Sequence, residues 1–290
     1  MRTLVLLLAT LATAHAASPK HIVVIALENH NYSSIIGNPN APYINQLARE
    51  GALGKAFYAT GHPSIDNYFG LTTGQSITFN DSYTGTVYAD NLVRELGKVG
   101  KSWKNYAENL PYTGYLGGDA YPYVKHHNPF AYLSDVRGSS TQAARIVPFT
   151  RFSTDLSAGA LPSFSYIQPN NHHNGHDCPT GYTTCTDTGK IVAMDNWLLS
   201  HVPVILNDPD FKQDGLLIIW FDESSTDNSH GGGRVAMIFA GPYAHSGVKS
   251  TAFYTHDSLL RTIGKALGIP VYPGNAKNVS TMWDMLTGCC

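Results

Sequence analysis

The chain is 290 residues long, 43% of them apolar and 14% charged, with a formal net charge of −2. That is enough apolar material for a sizeable core. With no basic tract and no single-sign run, the charge pattern excludes a nucleic-acid binder and a protein held to a membrane surface by electrostatics.

In chain order, Arg2 precedes the apolar run "LVLLLATLATA", and Ala14-His15-Ala16 places small residues at the spacing of a cleavage point. Residues 1–17 therefore read as a secretory signal peptide, too short for a bilayer core of ~30 Å. No later segment is long and apolar enough to span a membrane, so the expectation is a secreted, extracellular protein without a membrane anchor. "HIVVIAL" reads as a strand, "APYINQLAREG" as a helix closed by Gly51, and "GKAFYA" as a second strand. "PSIDNYFGLTTG" reads as a helix beginning at Ser64, "NLVRELGKVG" as another, and "SWKNYA" as a short strand. Beyond a Tyr- and Gly-rich region come the strand "SFSYIQP" and the segment "KIVAMDNWLLSHVPVILN", helical in pattern apart from Pro203. "GLLIIWF" and "RVAMIFAG" are continuous apolar strands, and "THDSLLRTIGKALG" is a capped helix ending at Gly268. Strands without alternation, separated by helices, predict an α/β fold with a doubly wound, mostly parallel sheet covered on both faces.

Four cysteines in a secreted chain suggest disulfides and allow three pairings. Cys178 and Cys185 enclose the short loop "PTGYTT", so a bridge there is plausible. The pairing of Cys289 and Cys290 at the chain end stays open. Neither pair has the spacing of a zinc site. Sequons at Asn31, Asn80 and Asn278 are candidate glycosylation sites, although Asn31 stands so close to Glu28 that a glycan there conflicts with any site built on that carboxylate.

In such sheets ligands bind outside the carboxyl ends of the strands. The first strand ends in Glu28 and Asn29. "GLLIIWF" ends in Asp222 and Glu223, followed by Asp227, His230 and three glycines. "SFSYIQP" leads to Asn170 and Asn171 and then to "HHNGHD", with His172, His173, His176 and Asp177. Any one polar strand end is explained by solvation, whereas several converging carboxylates and imidazoles favour a site. The oxygens of Glu28, Asn29, Asp222 and Glu223 suit a hard or borderline divalent ion such as Mg, Ca, Mn or Zn. The alternative is that Asp222 and Glu223 merely cap the turn after their strand.

"GHPSIDNYFG" offers Ser64 as a nucleophile at a helix start, where an oxyanion is stabilised. Serine is equally a favoured N-cap, which is the competing reading. The surroundings of Ser64 do not match the G-x-S-x-G elbow of α/β-hydrolases. His127 and His176 lie in polar loops, and His230 precedes glycines that let backbone approach a ligand closely. Asp135 reads as a turn residue, and "PYTGYLGGDAYPYV" as a loop packed by its own rings.

"ENHNYSSIIG", "TGHPSIDNYFGLTTG", "SWKNYAENLP", "KHHNPF", "PNNHHNGHDC" and "IIWFDES…DNSHGGGRV" occur in that order. Together they make the chain resemble the secreted phosphoesterases, acid phosphatases and phosphatidylcholine-type phospholipases C, of the alkaline phosphatase superfamily. The resemblance covers residues 21–268. It implies a single catalytic domain over 18–290, one divalent metal ion on Glu28, Asn29, Asp222 and Glu223, and Ser64 as nucleophile. It also implies that His127, His176 and His230 surround the phosphate, with Asn128 and Asp177 beside them. Imidazoles titrating near 6.5 lead to an expectation of activity at mildly acidic pH. The first motif departs from the phospholipase pattern and Ser64 stands where those members often carry Thr, which favours phosphate monoesters. The alternatives are a phospholipase C or phosphodiesterase acting on phospholipid, a lipid-phosphate (phosphoinositide) monoesterase, and a non-catalytic metal-dependent binder of phosphate or glycan. The substrate implied is a small phosphomonoester or a phospholipid headgroup.

Overall fold

A computed structural model describes residues 18–288. The expected signal peptide and the pairing of Cys289 and Cys290 lie outside the described residues. The strands are β1 (His21–Leu27), β2 (Ala52–Gly54), β3 (Phe57–Tyr58), β4 (Trp103–Ala107), β5 (Ile146–Pro148), β6 (Phe164–Gln168), β7 (Gly215–Phe221), β8 (Met237–Ala240), β9 (Lys249–Ser250) and β10 (Tyr254–Thr255). Eight of them form one sheet in the order β5-β4-β6-β1-β7-β8-β2-β9, and β3 pairs with β10 apart from it.

The centre of the sheet is parallel, with β1 between β6 and β7. Ile22 to Leu27 and the whole of β7 are buried, which is why neither segment alternates in polarity. β8 departs from the parallel expectation: it runs antiparallel to both β7 and β2. The cause is its connection to β7, which carries no helix and so cannot make the crossover that a parallel strand needs.

The stretch expected as one strand, "GKAFYA", divides. Lys55 N–H donates to the Ser250 carbonyl at 2.8 Å, and the Ala56 carbonyl accepts from Tyr254 N–H at 3.0 Å. The chain therefore leaves the large sheet at Lys55 and enters the small one at Phe57. The helix Asp187–Asn207 runs through Pro203; the proline falls in the last turns, where one lost donor is outweighed by packing.

The helix Pro42–Glu50 packs on Asp187–Asn207. There Asp195 accepts from the Tyr43 and Ile44 N–H groups at 3.0 and 2.8 Å, and so caps the shorter helix from outside. The helix Ile65–Thr73 packs on His256–Ala266 and is buried along its whole length. Cys178 and Cys185 form a disulfide, as the short loop between them suggested. No helix among the described residues is long and apolar enough to cross a membrane.

Candidate active site

In the parallel register Leu27 faces Phe221. The next residues, Glu28 and Asp222, thereby leave the sheet side by side, and Asp222 N–H still donates to the Leu27 carbonyl at 3.1 Å. The chain then turns sharply at Asn29, whose φ of 43° lies in the left-handed region that asparagine tolerates better than most residues. That turn aims Asn29 N–H at Asp222 Oδ1, 3.1 Å away. Glu28 and Asp222 have no solvent exposure and Glu223 has 5%.

Ser64 stands at the cap position of the helix Ile65–Thr73 with helical backbone angles, yet its side chain makes no capping bond. Its Oγ lies 3.2 Å from Glu28 Oε2 and 3.1 Å from Glu223 Oε1. The capping role falls instead to Asp81, whose Oδ1 accepts from Ile65 N–H at 3.1 Å. Ser64 is thus committed to the carboxylates, and the reading of it as a plain N-cap fails.

One hydroxyl proton cannot serve two carboxylates. Burial, reinforced by the charge of Asp222, holds the Glu28 carboxyl well above its usual range, with Tyr68 opposing the shift through its hydroxyl. Burial and then Glu223 push Asp222 up to about 8, and burial pushes Glu223 up to about 8. Three carboxyls in a water-poor site are each driven to shed charge, which requires protons or a cation.

Among the described residues, two oxygens at this place, Asn29 Oδ1 and Asp222 Oδ2, are buried without a hydrogen-bond partner. Among the described residues no three His, Cys, Asp or Glu side chains alone form a ligand group for a metal. A divalent ion would instead draw on a mixed oxygen set, carboxylates completed by the Asn29 amide and the Ser64 hydroxyl, and that set fits a hard cation. Glu28, Asn29, Asp222 and Glu223 are the residues able to hold it.

The histidines divide. His127 is buried, its Nε2 is 3.3 Å from Glu28 Oε1, and its ring stacks on Tyr68. Burial, then His126 and His176, keep its imidazole neutral well below the usual range. His176 lies 6.1 Å from His127 between ring centres, is partly exposed, and directs Nδ1 at Asp177 Oδ1, 2.7 Å away. Asp177 is itself bonded by Tyr121 and Asn171. His230, in contrast, packs its ring on Tyr58 and Phe253. Its loop meets the segment before Ser64 through the backbone, where Gly232 N–H donates to the Ala59 carbonyl at 3.1 Å. Within "HHNGHD", His172 turns to the Cys178 carbonyl and His173 to Glu108. Asn128 is buried against Asn105 and Tyr123. Asp135 pairs with Arg94, and Tyr112, Tyr115 and Tyr123 pack on one another.

Several site residues escaped sequence reasoning. Tyr68 bonds Glu28; the only signal was its place one helical turn after Ser64. His62, two residues before Ser64, sets Nδ1 2.6 Å from Glu223 Oε2. Asn67 Oδ1 accepts from Thr60 and Gly61 N–H and holds the loop before Ser64. His256 Nδ1 accepts from Trp220 Nε1 at 2.9 Å, so its other nitrogen donates to the Asp222 carbonyl at 2.7 Å. Burial drives the His256 imidazole down to about 3, leaving it neutral. Asn31, a sequon residue, spends its side chain on Ser225 and Thr226.

The family model described as the phosphoesterase family matches residues 38–270. The chain is 28% identical over 267 residues to a phosphatidylinositol-3-phosphatase of Mycobacterium tuberculosis, covering 91% of this chain and 82% of that protein. It is 30% identical over 256 residues to an acid phosphatase of Aspergillus fumigatus, covering 84% of this chain but 54% of the relative. The chain thus spans little more than half the length of that fungal protein. Among solved structures, a protein of the alkaline phosphatase superfamily from Vibrio parahaemolyticus superposes with a TM-score of 0.64 at 15% identity, over 93% of this chain and 72% of that one. A lipoteichoic acid synthase from Listeria monocytogenes also gives 0.64, at 14% identity, over 94% and 77%. Likeness at this identity shows the fold alone, and the fold is that of the alkaline phosphatase superfamily.

Proposed function

The chain belongs to the phosphoesterase family, and from that premise we propose that it is a secreted, metal-dependent phosphatase of the acid type that hydrolyses phosphate monoesters through Ser64. The observation that carries this reading is the buried Ser64 hydroxyl, within 3.2 Å of carboxylates delivered by two neighbouring strands. A binding protein has no use for a nucleophile so placed. The relatives' printed activities, both phosphatases, support the same reading.

Glu28, Asn29, Asp222 and Glu223 would hold one divalent ion, which would supply charge neutralisation for the phosphate and acidify a hydroxyl. The rest falls to the chain itself. Tyr68 fixes the Glu28 carboxylate with its hydroxyl, His62 steadies Glu223, and Asn67 with His256 anchors the loop and strand end between them. Ser64 Oγ attacks phosphorus in line; the Oγ–P bond forms as the bond to the leaving alcohol breaks. The Ser64 proton has carboxylate oxygens within reach. His176 is the group best placed to protonate the leaving oxygen. Its Nδ1 is engaged by Asp177, which leaves Nε2 as the proton carrier at the edge of the site. Water then cleaves the phosphoserine and releases phosphate. His127, kept neutral by burial, contributes as an N–H donor rather than as a cation, and His230 acts through its loop.

Secretion rests on the signal-peptide reading and on the Cys178–Cys185 disulfide, which persists in oxidising compartments. The test is phosphate release from an aryl phosphomonoester and from the matching diester, with and without chelator. Fast, chelator-sensitive monoester cleavage is expected; preference for the diester would move the protein to a phosphodiesterase reading, and turnover of neither would leave a binding protein.

A further inference from the structure

A cavity of about 460 Å³ lies beside the site and is lined by Asp81, Tyr83, Asp119, Lys125, Tyr132 and Arg137. It adjoins Ser64 from two directions. Asp81 bonds the N–H of Ile65, the residue after the nucleophile. Lys125 stands two residues before His127, whose ring reaches Glu28. The size suits a phosphorylated sugar or polyol.

The charges in the cavity are unevenly satisfied. Asp81 accepts a backbone N–H, and Asp119 Oδ1 accepts from Lys125 N–H at 2.8 Å. Neither cation forms a direct ion pair among the described residues, although the charge of Asp119 acts on Lys125. Lys125 is 7% exposed, and among the described residues its Nζ has neither a hydrogen bond nor a carboxylate partner. Its one specific neighbour is the Tyr132 ring, with Nζ 4.4 Å from the centroid. Arg137 is exposed; among the described residues it gives one bond, from Nη1 to the Ala131 carbonyl at 3.0 Å, and its remaining donors face solvent. Burial and then Arg137 lower the Lys125 ammonium below its usual range, with the Asp119 carboxylate only partly opposing them.

A larger cavity, about 640 Å³, provides the contrast. It too is lined by two cations, Lys104 and Arg151, but both pair with Asp155, at 2.5 and 3.5 Å. Nothing there is missing. Beside Ser64, Lys125 and Arg137 have no ion pair of that kind among the described residues.

We infer that Lys125 and Arg137 form a subsite for a second phosphate group on the substrate, so that the preferred esters are bisphosphorylated rather than simple monophosphates. This rests on the phosphatase reading of Ser64. The phosphate to be cleaved meets Ser64 while the alcohol lies along Asp81, and the second phosphate receives donors from Lys125 and Arg137. The two aspartates each spend one oxygen on a backbone N–H but keep their charge, so Asp119 competes with the second phosphate for Lys125.

The test compares kcat/KM for glucose 1,6-bisphosphate with that for glucose 1-phosphate and glucose 6-phosphate, in the wild type and in Lys125→Met, Lys125→Arg and Arg137→Gln. The wild type is expected to prefer the bisphosphate about tenfold or more, and Lys125→Met to lose most of that ratio while Lys125→Arg keeps it. A ratio is read so that general damage cancels. Equal loss on all three esters in Lys125→Met, or no preference in the wild type, overturns the subsite. A third arm pairs a glycerophosphoryl polyol phosphate with its short-chain acylated counterpart. Lys125-dependence with both places recognition in the phosphates, whereas preference confined to the acylated form overturns it. If an aryl phosphate is not cleaved at all, the phosphatase reading fails; if it is cleaved and the ratio is flat, only the subsite does.

Discussion

Leu27 on β1 and Phe221 on β7 are partners in one parallel register, and the residues that follow them, Glu28 and Asp222, are both fully buried. Two carboxylates emerging side by side from a hydrophobic sheet repel one another and are poorly solvated. The fold pays this cost through its best-packed strands, where a slip of one residue would turn every side chain to the other face. The strain is therefore held by the core, and either protonation or a bound cation relieves it.

Removal of one carboxylate tests that argument without recourse to activity. Asp222→Asn takes a like charge out of the cluster while keeping its shape. The metal-free variant is expected to melt at or above the temperature of the metal-free wild type. Divalent ions should raise the melting temperature of the wild type and have little effect on the variant. Thermal scans of chelated and metal-loaded protein decide it; a destabilised variant that still responds fully to metal would sink the assignment.

Ser64→Ala deletes the proposed nucleophile in a place where the helix start is capped by Asp81 instead. Stability should change little, whereas kcat on an aryl phosphate should fall by about 10³-fold or more. Acid quenching during turnover of a labelled ester should trap phosphate on the wild type and none on the variant. Labelled Ser64→Ala would show that another residue takes the phosphoryl group.

His176→Gln addresses leaving-group protonation. A general acid matters most when the leaving alcohol is a poor one, so the loss should be about 10²-fold or more for alkyl phosphates and smaller for nitrophenyl phosphate. Asp177→Asn should give a weaker version of the same pattern, because Asp177 orients the ring from 2.7 Å. A loss of equal size across leaving groups would mean that His176 binds phosphate instead.

Much of this was legible in the sequence, for identifiable reasons. β1 and β7 are buried on both faces, so their apolar runs are unbroken and their ends are marked by Glu28 and Asp222. The direction of β8 was not legible, since an apolar run has no polarity of its own and the turn region before it reads like any loop. The imidazoles of "HHNGHD" are alike on paper, yet His172 and His173 turn to Cys178 and Glu108 while His176 comes within 6.1 Å of His127. Loop side chains have no period to reveal their direction; distant partners set it. Tyr68 and His256 were hidden for the opposite reason, lying in helical patterns where an aromatic or a histidine passes for core.

Asp135 supplies a pH test away from the site. Arg94 donates to it from Nε and Nη2 at 3.0 and 2.9 Å, and Asn91 adds a bond at 2.8 Å. Burial works to raise its carboxyl, but Arg94 and Asn91 outweigh burial and hold it below the ordinary range. A depressed carboxylate stabilises the fold above its unfolded pKa of about 3.9 and loses that contribution as pH falls through the folded value. The pair is partly exposed, so Asp135→Asn should cost about 1 kcal/mol at pH 7. Urea midpoints of the two proteins should converge as pH falls below the ordinary carboxylate range; a gap that persists there would have another origin.

Gly231 couples the "HGGG" loop to the nucleophile. Its φ is +105°, and a Cβ added there would stand 2.3 Å from the Thr60 carbonyl oxygen. Thr60 belongs to the loop that Asn67 holds in place before Ser64, and the two loops are stitched by Ala59 N–H to the Gly233 carbonyl at 2.9 Å. Alanine at 231 is opposed by the backbone conformation, by about 1–3 kcal/mol, and by a clash with main chain that has no side chain to yield. The Thr60 loop must shift, and Ser64 with it. Gly231→Ala should therefore lower the melting temperature and reduce kcat about tenfold or more, because an attacking atom displaced by a fraction of an ångström loses its alignment. Gly97→Ala is the control: it lies in the helix Leu92–Lys98 with nothing within 4 Å of the new methyl, and should raise stability by up to about 1 kcal/mol with activity intact. Full activity in Gly231→Ala would show that Ser64 is held by its own helix alone and owes nothing to the glycine loop.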